Sequence, residues 1–521
     1  MVIQESCKLI IASITIFLLM NTQSVAQQNR IIINADQELS EISKHIYGQF
    51  AEHLGRGIYG GIWVGEDSDI PNTEGYRNDV LQALRDLEVP NVRWPGGCFA
   101  DEYHWKDGIG PADERPVRIN THWGMVEEDN SFGTHEFLRL MELIEAEPVI
   151  AMNVGSGTPR EMARWLEYLN YDGESTLANM RRENGRDEPW GVKYIGVGNE
   201  SWGCGGNMKV EFYADLYRQY ATFTKNFSGH ELFRVASGRY DTEYDWTEHM
   251  MQEAADMMEG VSLHYYVIPT ADWDAKGPSI DFDEDLYFAG LQRSLLMDEY
   301  VRGHTNRMDK FDPEKNVALV VDEWGIWTDP YPGTNPGFLE QQNSLRDALI
   351  ASITLDILNK HSDRVRMANI AQMINVLQAM ILTDGDQMVK TPTYHIFDLY
   401  RIHHDTKLLN AHFHQVTEYS YGEESIPDIS MTASKNSGGQ IGFTITNKNP
   451  HGSRQVEIEI RGGEVQSLGN GRILTAENFN DVNTFDDPER VTMNQFSGYR
   501  ISENTITVDL PPSSVIAFSA E

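Results

Sequence analysis

The chain has 521 residues and a formal net charge of −37 at pH 7, with 40% hydrophobic and 23% charged residues. That length suits one large domain with a smaller one, and the composition is that of a folded globular protein, not a disordered or fibrous one. So acidic a surface repels nucleic acid and anionic polymers, which leaves a neutral ligand as the expected partner.

At the N-terminus, Lys8 precedes an apolar run over residues 9–20, and a polar stretch ends in Ser24, Val25 and Ala26, a small-x-small pattern that suits signal peptidase. The run is shorter than the ~20 residues a spanning helix needs. The sequence therefore predicts a signal peptide over 1–26, a mature chain from near Gln27, and export to the periplasm or the medium. No later segment reads as transmembrane, so no membrane partner is expected after cleavage. Export removes Cys7 and leaves Cys98 and Cys204. Two cysteines in so long a chain make no disulfide framework, and their pairing is open at this point.

From residue 46 to about 404, short apolar runs alternate with amphipathic ones. Candidate strands cover 46–52, 90–93, 148–154, 192–199, 234–237, 260–266, 317–322 and 367–372. Between them Val80, Leu84 and Leu87 share a helical face, as do Phe137, Met141 and Ile144. Thr158, Pro159 and Glu161 supply an N-cap, a first-turn proline and a capping-box acid for a helix through Leu169. Eight strands alternating with helices point to a (β/α)8 TIM barrel over 46–404, with an open doubly wound sheet as the alternative. After about residue 405 the texture changes to strict alternation, as in residues 441–446, 456–460 and 505–510, between Asn, Gly, Ser and Pro clusters. That is an antiparallel β-sandwich over 405–521. Residues 27–45 precede the barrel and are expected to add a strand to the sandwich.

A barrel of this kind carries its active site at the C-terminal ends of the strands. Those ends are unusually polar here: Glu52 and His53, Arg93 through Cys98, Asn153, Asn199 and Glu200, His264 through Tyr266, Asp322 and Glu323, and Gln372. Glu200 and Glu323, on strands four and seven, would face each other across the mouth. One protonated and one ionised carboxyl group are what glycosidic bond cleavage requires. Trp94, Trp123, Trp202 and Trp324 fit the apolar faces of sugar rings, and amides and tyrosines fit their hydroxyls. Singly, each residue has a plainer reading as a solvated strand end or a core aromatic. Gathered at one rim, so many polar groups are costly without a function.

No cofactor and no metal are expected. No GxGxxG follows a strand, no GxxxxGK[ST] or HExxH occurs, and His403, His404, His412 and His414 lie where the barrel hands over to the sandwich, away from the first strand.

Several stretches together carry a resemblance: EHLGRGIYGGI (52–62), NVRWPGGCFADEYHWKDGIGP (91–111), YIGVGNESWG (194–203), SLHYY (262–266), VDEWG (321–325) and NIAQMINVLQAMI (369–381). In this order they resemble the α-L-arabinofuranosidases of glycoside hydrolase family 51, from about residue 30 to 400. The resemblance implies an exo-acting, retaining enzyme that releases terminal arabinofuranose from arabinan, arabinoxylan or derived oligosaccharides, and it implies a hexamer. It makes Glu200 the acid/base and Glu323 the nucleophile. Asn199 would hold the 2-hydroxyl, and Glu52, Cys98 and Gln372 the others. Tyr266 would touch the nucleophile, with Arg93 and His264 in support and Trp123 as a pocket aromatic. Asp322 is expected on the opposite side of the strand from Glu323, because neighbouring side chains alternate. A related enzyme on the same barrel, an endoglucanase or β-xylosidase, is the alternative.

Overall fold

The computed structural model describes residues 29–521; the signal-peptide expectation lies outside them. Eight apolar runs pair in parallel and close into a barrel: β1 (Gly48–Phe50), β2 (Asn91–Trp94), β3 (Glu147–Met152), β4 (Tyr194–Val197), β5 (Phe233–Tyr240), β6 (Gly260–Val267), β7 (Ala318–Ile326) and β8 (Val365–Ala371). Each strand pairs with the next in the chain, and β8 returns to β1 with Ile370 opposite Gln49. The expected closed barrel is therefore the observed one, and the open sheet is not.

Helices cover the barrel with their apolar faces. Asn78–Asp86 buries Val80, Leu81, Ala83 and Leu84, and Thr134–Ile144 buries Phe137, Leu138, Met141 and Ile144 among others. Helix Pro159–Asn170 opens on Thr158, whose side chain accepts from the Glu161 amide. Glu161 turns its own carboxylate to His104, 2.9 Å away, in place of the reciprocal cap.

The C-terminal region is a ten-stranded sheet. Its spatial order runs Met493–Phe496, Gly471–Thr475, Ser514–Ala520, Ile441–Asn447, Ile429–Lys435, Thr406–Gln415, Asn29–Ile42, Arg454–Arg461, Thr505–Leu510 and Tyr499–Ser502. All its pairings are antiparallel except that of Asn29–Ile42 with Arg454–Arg461, where Ile31 lies opposite Ile458. The sheet folds over itself. Val456, Ile458 and Ile506 from one half share a core with Phe443, Ile516 and Phe518 from the other. Tyr499, on one outermost strand, stacks on Phe518 with centroids 5.2 Å apart.

Helix Leu345–Lys360 joins the two parts and is buried on every side from Leu345 to Asn359, as a helix packed between two layers must be. Tyr47 donates to Asn359 Oδ1 (2.8 Å) from the barrel side. Toward the sheet, Asn359 Nδ2 donates to Thr432 Oγ1 (3.2 Å), and Ser352 Oγ lies 2.9 Å from Thr446 Oγ1. His403 is buried at the same junction, between the hydroxyls of Ser434 and Thr444. His412 and His414 are exposed on the outer half of their strand.

Candidate active site

Strand β7 carries two consecutive carboxylates, and period-two alternation would put them on opposite faces. The structure corrects that expectation for Asp322. The register of β7 against β6 slips between the pairs Ser262–Val320 and His264–Glu323, and against β8 between Val321 and Trp324. This bulge turns both acids inward. Asp322 Oδ2 lies 3.4 Å from Arg93 Nε and Oδ1 lies 3.2 Å from His264 Nε2. Glu323 Oε1 accepts from Arg93 Nη1 at 2.8 Å, and Oε2 accepts from the Tyr266 hydroxyl at 3.0 Å. Burial works against the Asp322 charge, but Arg93 and His264 outweigh it and hold its carboxyl below the usual range. Burial and then the charge of Glu323 push the Tyr266 hydroxyl far up, so it remains a donor.

Across the mouth, the chain leaves β4 in a tight turn and Glu200 takes a φ of 39°, the left-handed region that side chains other than glycine avoid at a cost of about 1–3 kcal/mol. The amides of Gly203 and Gly205 close the turn on the Glu200 carbonyl. Glu200 Oε1 lies 2.9 Å from His264 Nδ1, and the same nitrogen lies 3.5 Å from Glu323 Oε2. An oxygen of Glu200, one of Glu323 and the bridging nitrogen all fall within 4.8 Å of one another. Burial pulls the His264 pKa down, but Glu323, Asp322 and Glu200 together raise it to about 10. The ring's three carboxylate neighbours thus favour the imidazolium at neutral pH.

Strands β1, β2 and β8 build the opposite wall. Glu52 Oε1 accepts from the amides of Gly97 (2.9 Å) and Phe99 (3.1 Å), and Oε2 accepts from Gln372 Nε2 (3.2 Å). Burial and the nearby charge of Glu323 raise its pKa to about 7. Arg93 Nη2 donates to Asn199 Oδ1 at 2.6 Å, so the Asn199 amide presents its nitrogen elsewhere. Gly97 passes so close that a Cβ there would stand 2.6 Å from Glu323 Oε1; only glycine fits between the two acids. Cys98 pairs with Cys204 in a disulfide, which ties the β2 loop to the turn after Glu200.

These groups open into a cavity of about 640 Å³, lined by Glu52, Cys98, Trp123, Glu200, His264, Tyr266, Glu323 and Gln372 among others. Asn199 and Arg93 sit just beneath, each 2% exposed. Trp123 comes from the turn of the hairpin Arg118–Asn120 and Val126–Glu128. Of the four tryptophans expected at the rim, Trp123 and Trp202 line the cavity. The other two are core residues: Trp94 stacks on Phe137 and Trp324 on Phe397. Sequence reasoning missed Trp273 and Trp327, which stand at the cavity in their stead, and also Tyr240, Asp241 and Arg293 on its far side. The signal for the first two was present, since both follow the ends of β6 and β7.

Two family models match the chain: the α-L-arabinofuranosidase 1 domain over residues 83–268 and the α-L-arabinofuranosidase C-terminal domain over 322–514. The intracellular exo-α-L-arabinofuranosidase of Bacteroides ovatus is 48% identical over 97% of this chain and 98% of its own. Among solved structures, the family 51 arabinofuranosidase of Xanthomonas axonopodis pv. citri superposes with a TM-score of 0.93 at 51% identity, over 95% of this chain and 100% of that one. The α-L-arabinofuranosidase of Thermotoga maritima, solved with arabinose, gives 0.83 at 32% identity, over 94% and 99%. The first relative corrects the expectation of export to the periplasm or medium. It aligns along nearly the whole chain and is named as intracellular, and residues 9–20, on which the expectation rested, lie outside those described.

Proposed function

Because the chain belongs to the α-L-arabinofuranosidases of glycoside hydrolase family 51, exo-acting glycosidases that work with retention, we propose that Glu323 is its nucleophile and Glu200 its acid/base. The observation that carries this assignment is the spacing. One oxygen of Glu200 lies within 4.8 Å of one of Glu323, which favours the ~5–5.5 Å carboxyl separation of retaining enzymes over the ~6.5–9.5 Å of inverting ones. In the first step Glu323 attacks the anomeric carbon while Glu200 gives its proton to the departing oxygen, leaving a β-linked arabinosyl ester. In the second, Glu200 takes a proton from water, which attacks the same carbon and expels Glu323. The two inversions restore the α configuration.

Each remaining group has a place in that scheme. Arg93 and Tyr266 each hold one oxygen of Glu323, so the nucleophile is aimed before substrate arrives. Asn199 meets the 2-hydroxyl, where hydrogen bonds strengthen in the transition state. Glu52, Gln372 and the Cys98 segment take the other hydroxyls, and Trp123 covers the ring. The substrates are arabinose-bearing polysaccharides. Arabinan, arabinoxylan and their oligosaccharides are the proposed ones, and relative rates on debranched arabinan and wheat arabinoxylan decide between them. The hexamer is likewise proposed and is read by light scattering.

Replacing each acid by alanine tests the roles. Glu323→Ala should lose activity on every substrate. Glu200→Ala should lose about 10²–10⁴ in kcat on natural glycosides. On a nitrophenyl arabinofuranoside it should retain a burst and a low KM, and azide should restore turnover with the α-azide as product. Recovery of the β-azide from Glu200→Ala, or of the α-azide from Glu323→Ala, overturns the assignment.

A further inference from the structure

Asp101 belongs to none of the groups assigned above, yet its buried carboxylate joins three strand ends. It sits in the short helical turn Cys98–Glu102 that follows β2 and is 4% exposed. Its Oδ1 accepts from the amides of Val154 and Gly155, each at 2.7 Å, just past the end of β3. Its Oδ2 accepts from the amide of Asn199, past the end of β4, at 2.9 Å. The Asp101 carbonyl takes Ser156 N at 3.1 Å and Ser156 Oγ at 2.8 Å. The turn after Glu200 closes over this junction so tightly that a Cβ on Gly205 would stand 2.5 Å from Asp101 Oδ2 and 1.8 Å from the Asn199 carbonyl.

We propose that Asp101 is a positioning residue for catalysis: its carboxylate fixes the main chain of Asn199, and through it the amide nitrogen offered to the substrate's 2-hydroxyl. This rests on the role given to Asn199 above. Besides a long contact from its Nδ2 to Cys204 Sγ at 3.8 Å, two bonds place Asn199. Arg93 binds its side-chain oxygen, which sets the direction of the amide group. Asp101 binds its backbone nitrogen, which sets the height of the residue in the mouth. A buried carboxylate is expensive: burial raises the Asp101 pKa to about 7, with the three amide donors and the Arg93 charge offsetting part of that cost. A site that served only to close the loop would be met at lower cost by a neutral acceptor, since all three partners are ordinary backbone amides. Two oxygens on one rigid group, facing two different strands, give what a hydroxyl cannot: a fixed spacing between the ends of β3 and β4.

Asp101→Asn separates the functions of the two oxygens. The asparagine oxygen can keep the amides of Val154 and Gly155, and its NH2 then opposes the Asn199 N–H, donor against donor. The contact to Asn199 is lost while the shape is kept. The expected result on an aryl α-L-arabinofuranoside is a fall in kcat of about 100-fold, the effect of a misplacement near 1 Å, with KM changed less than threefold. On the matching 2-deoxy glycoside, which has no hydroxyl for Asn199 to hold, wild type and Asp101→Asn should turn over at the same rate. Asn199→Ala should show the same pattern, and the double variant should be no worse than Asn199→Ala alone. If Asp101→Asn does not fold, Asp101→Glu, which keeps the charge and moves it by a methylene, is read in the same way. Equal losses on the hydroxylated and deoxy substrates, or additive losses in the double variant, overturn the proposal. If Asn199→Ala leaves kcat untouched, it is instead the underlying role of Asn199 that fails.

Discussion

Glu52 sits in an environment that works against its charge. It is 2% exposed, faces the charge of Glu323, and is offered only N–H donors by Gly97, Phe99 and Gln372. Burial first, then Glu323, raise its pKa from 4.5 to about 7. Between those values the folded chain retains a proton that the unfolded chain has released, so this group lowers stability progressively as pH rises through the window, by about 3 kcal/mol when complete. Glutamine does not titrate. The melting temperature of Glu52→Gln minus that of wild type should therefore grow more positive between pH 5 and pH 8, while activity is lost. A difference independent of pH would show that Glu52 is not held in this way. Glu52 was legible in the sequence because it ends a strand beside His53 and opens a family motif. Asp101 was not. It lies within a quoted motif, but its partners are backbone amides of Val154, Gly155 and Asn199, and no pattern of residue types records which amides a loop will turn inward.

At the scale of an element, β7 shows what periodicity can and cannot convey. The apolar run over 317–321 and the acids at its end were readable, and so were the other seven barrel strands, because each buries both faces and stands out as a short apolar run. The bulge was not readable, since it depends on how β7 seats against β6 and β8. It follows that Asp322 belongs to the charge network of the site. His264 faces three carboxylates, Glu200, Glu323 and Asp322, with the Arg93 guanidinium beside the last two. Removing one anion lowers the pKa of an imidazolium. Asp322→Asn should accordingly bring the His264 pKa down from about 10 toward neutrality, read by NMR titration of its ring protons. An unmoved titration would mean that Asp322 does not hold the imidazolium. The tryptophans teach the same limit: Trp94 and Trp324 sit on strands whose neighbours are helices, so they entered the core, while Trp273 and Trp327 lie on loops beyond the strand ends and reached the cavity.

At the scale of the whole molecule, the barrel and the C-terminal sheet share a helix and an N-terminal strand. Leu345–Lys360 is buried between them, and Asn29–Ile42 lies inside the sheet between Thr406–Gln415 and Arg454–Arg461. Residues 405–521 expressed alone should then expose two unpaired strand edges and aggregate, whereas the same segment with residues 29–42 supplied through a linker should be soluble. Full-length protein should melt in one transition by calorimetry, and two well-separated transitions would show the halves to be independent.

The position of that first strand also bears on the making of the chain. Lys407, which pairs with Glu41, lies 366 residues after it. At a synthesis rate of ~5–20 residues per second, the run Ile31, Ile32, Ile33 waits roughly 20–70 s on the ribosome before its partners exist. The barrel itself can close only near the end of that interval, once β8 has been made, and until then the newborn chain trails an apolar edge that nothing in its own sequence yet covers. Whatever shelters nascent chains in the cell must attend to this protein at its beginning, although the fault is mended only by its end.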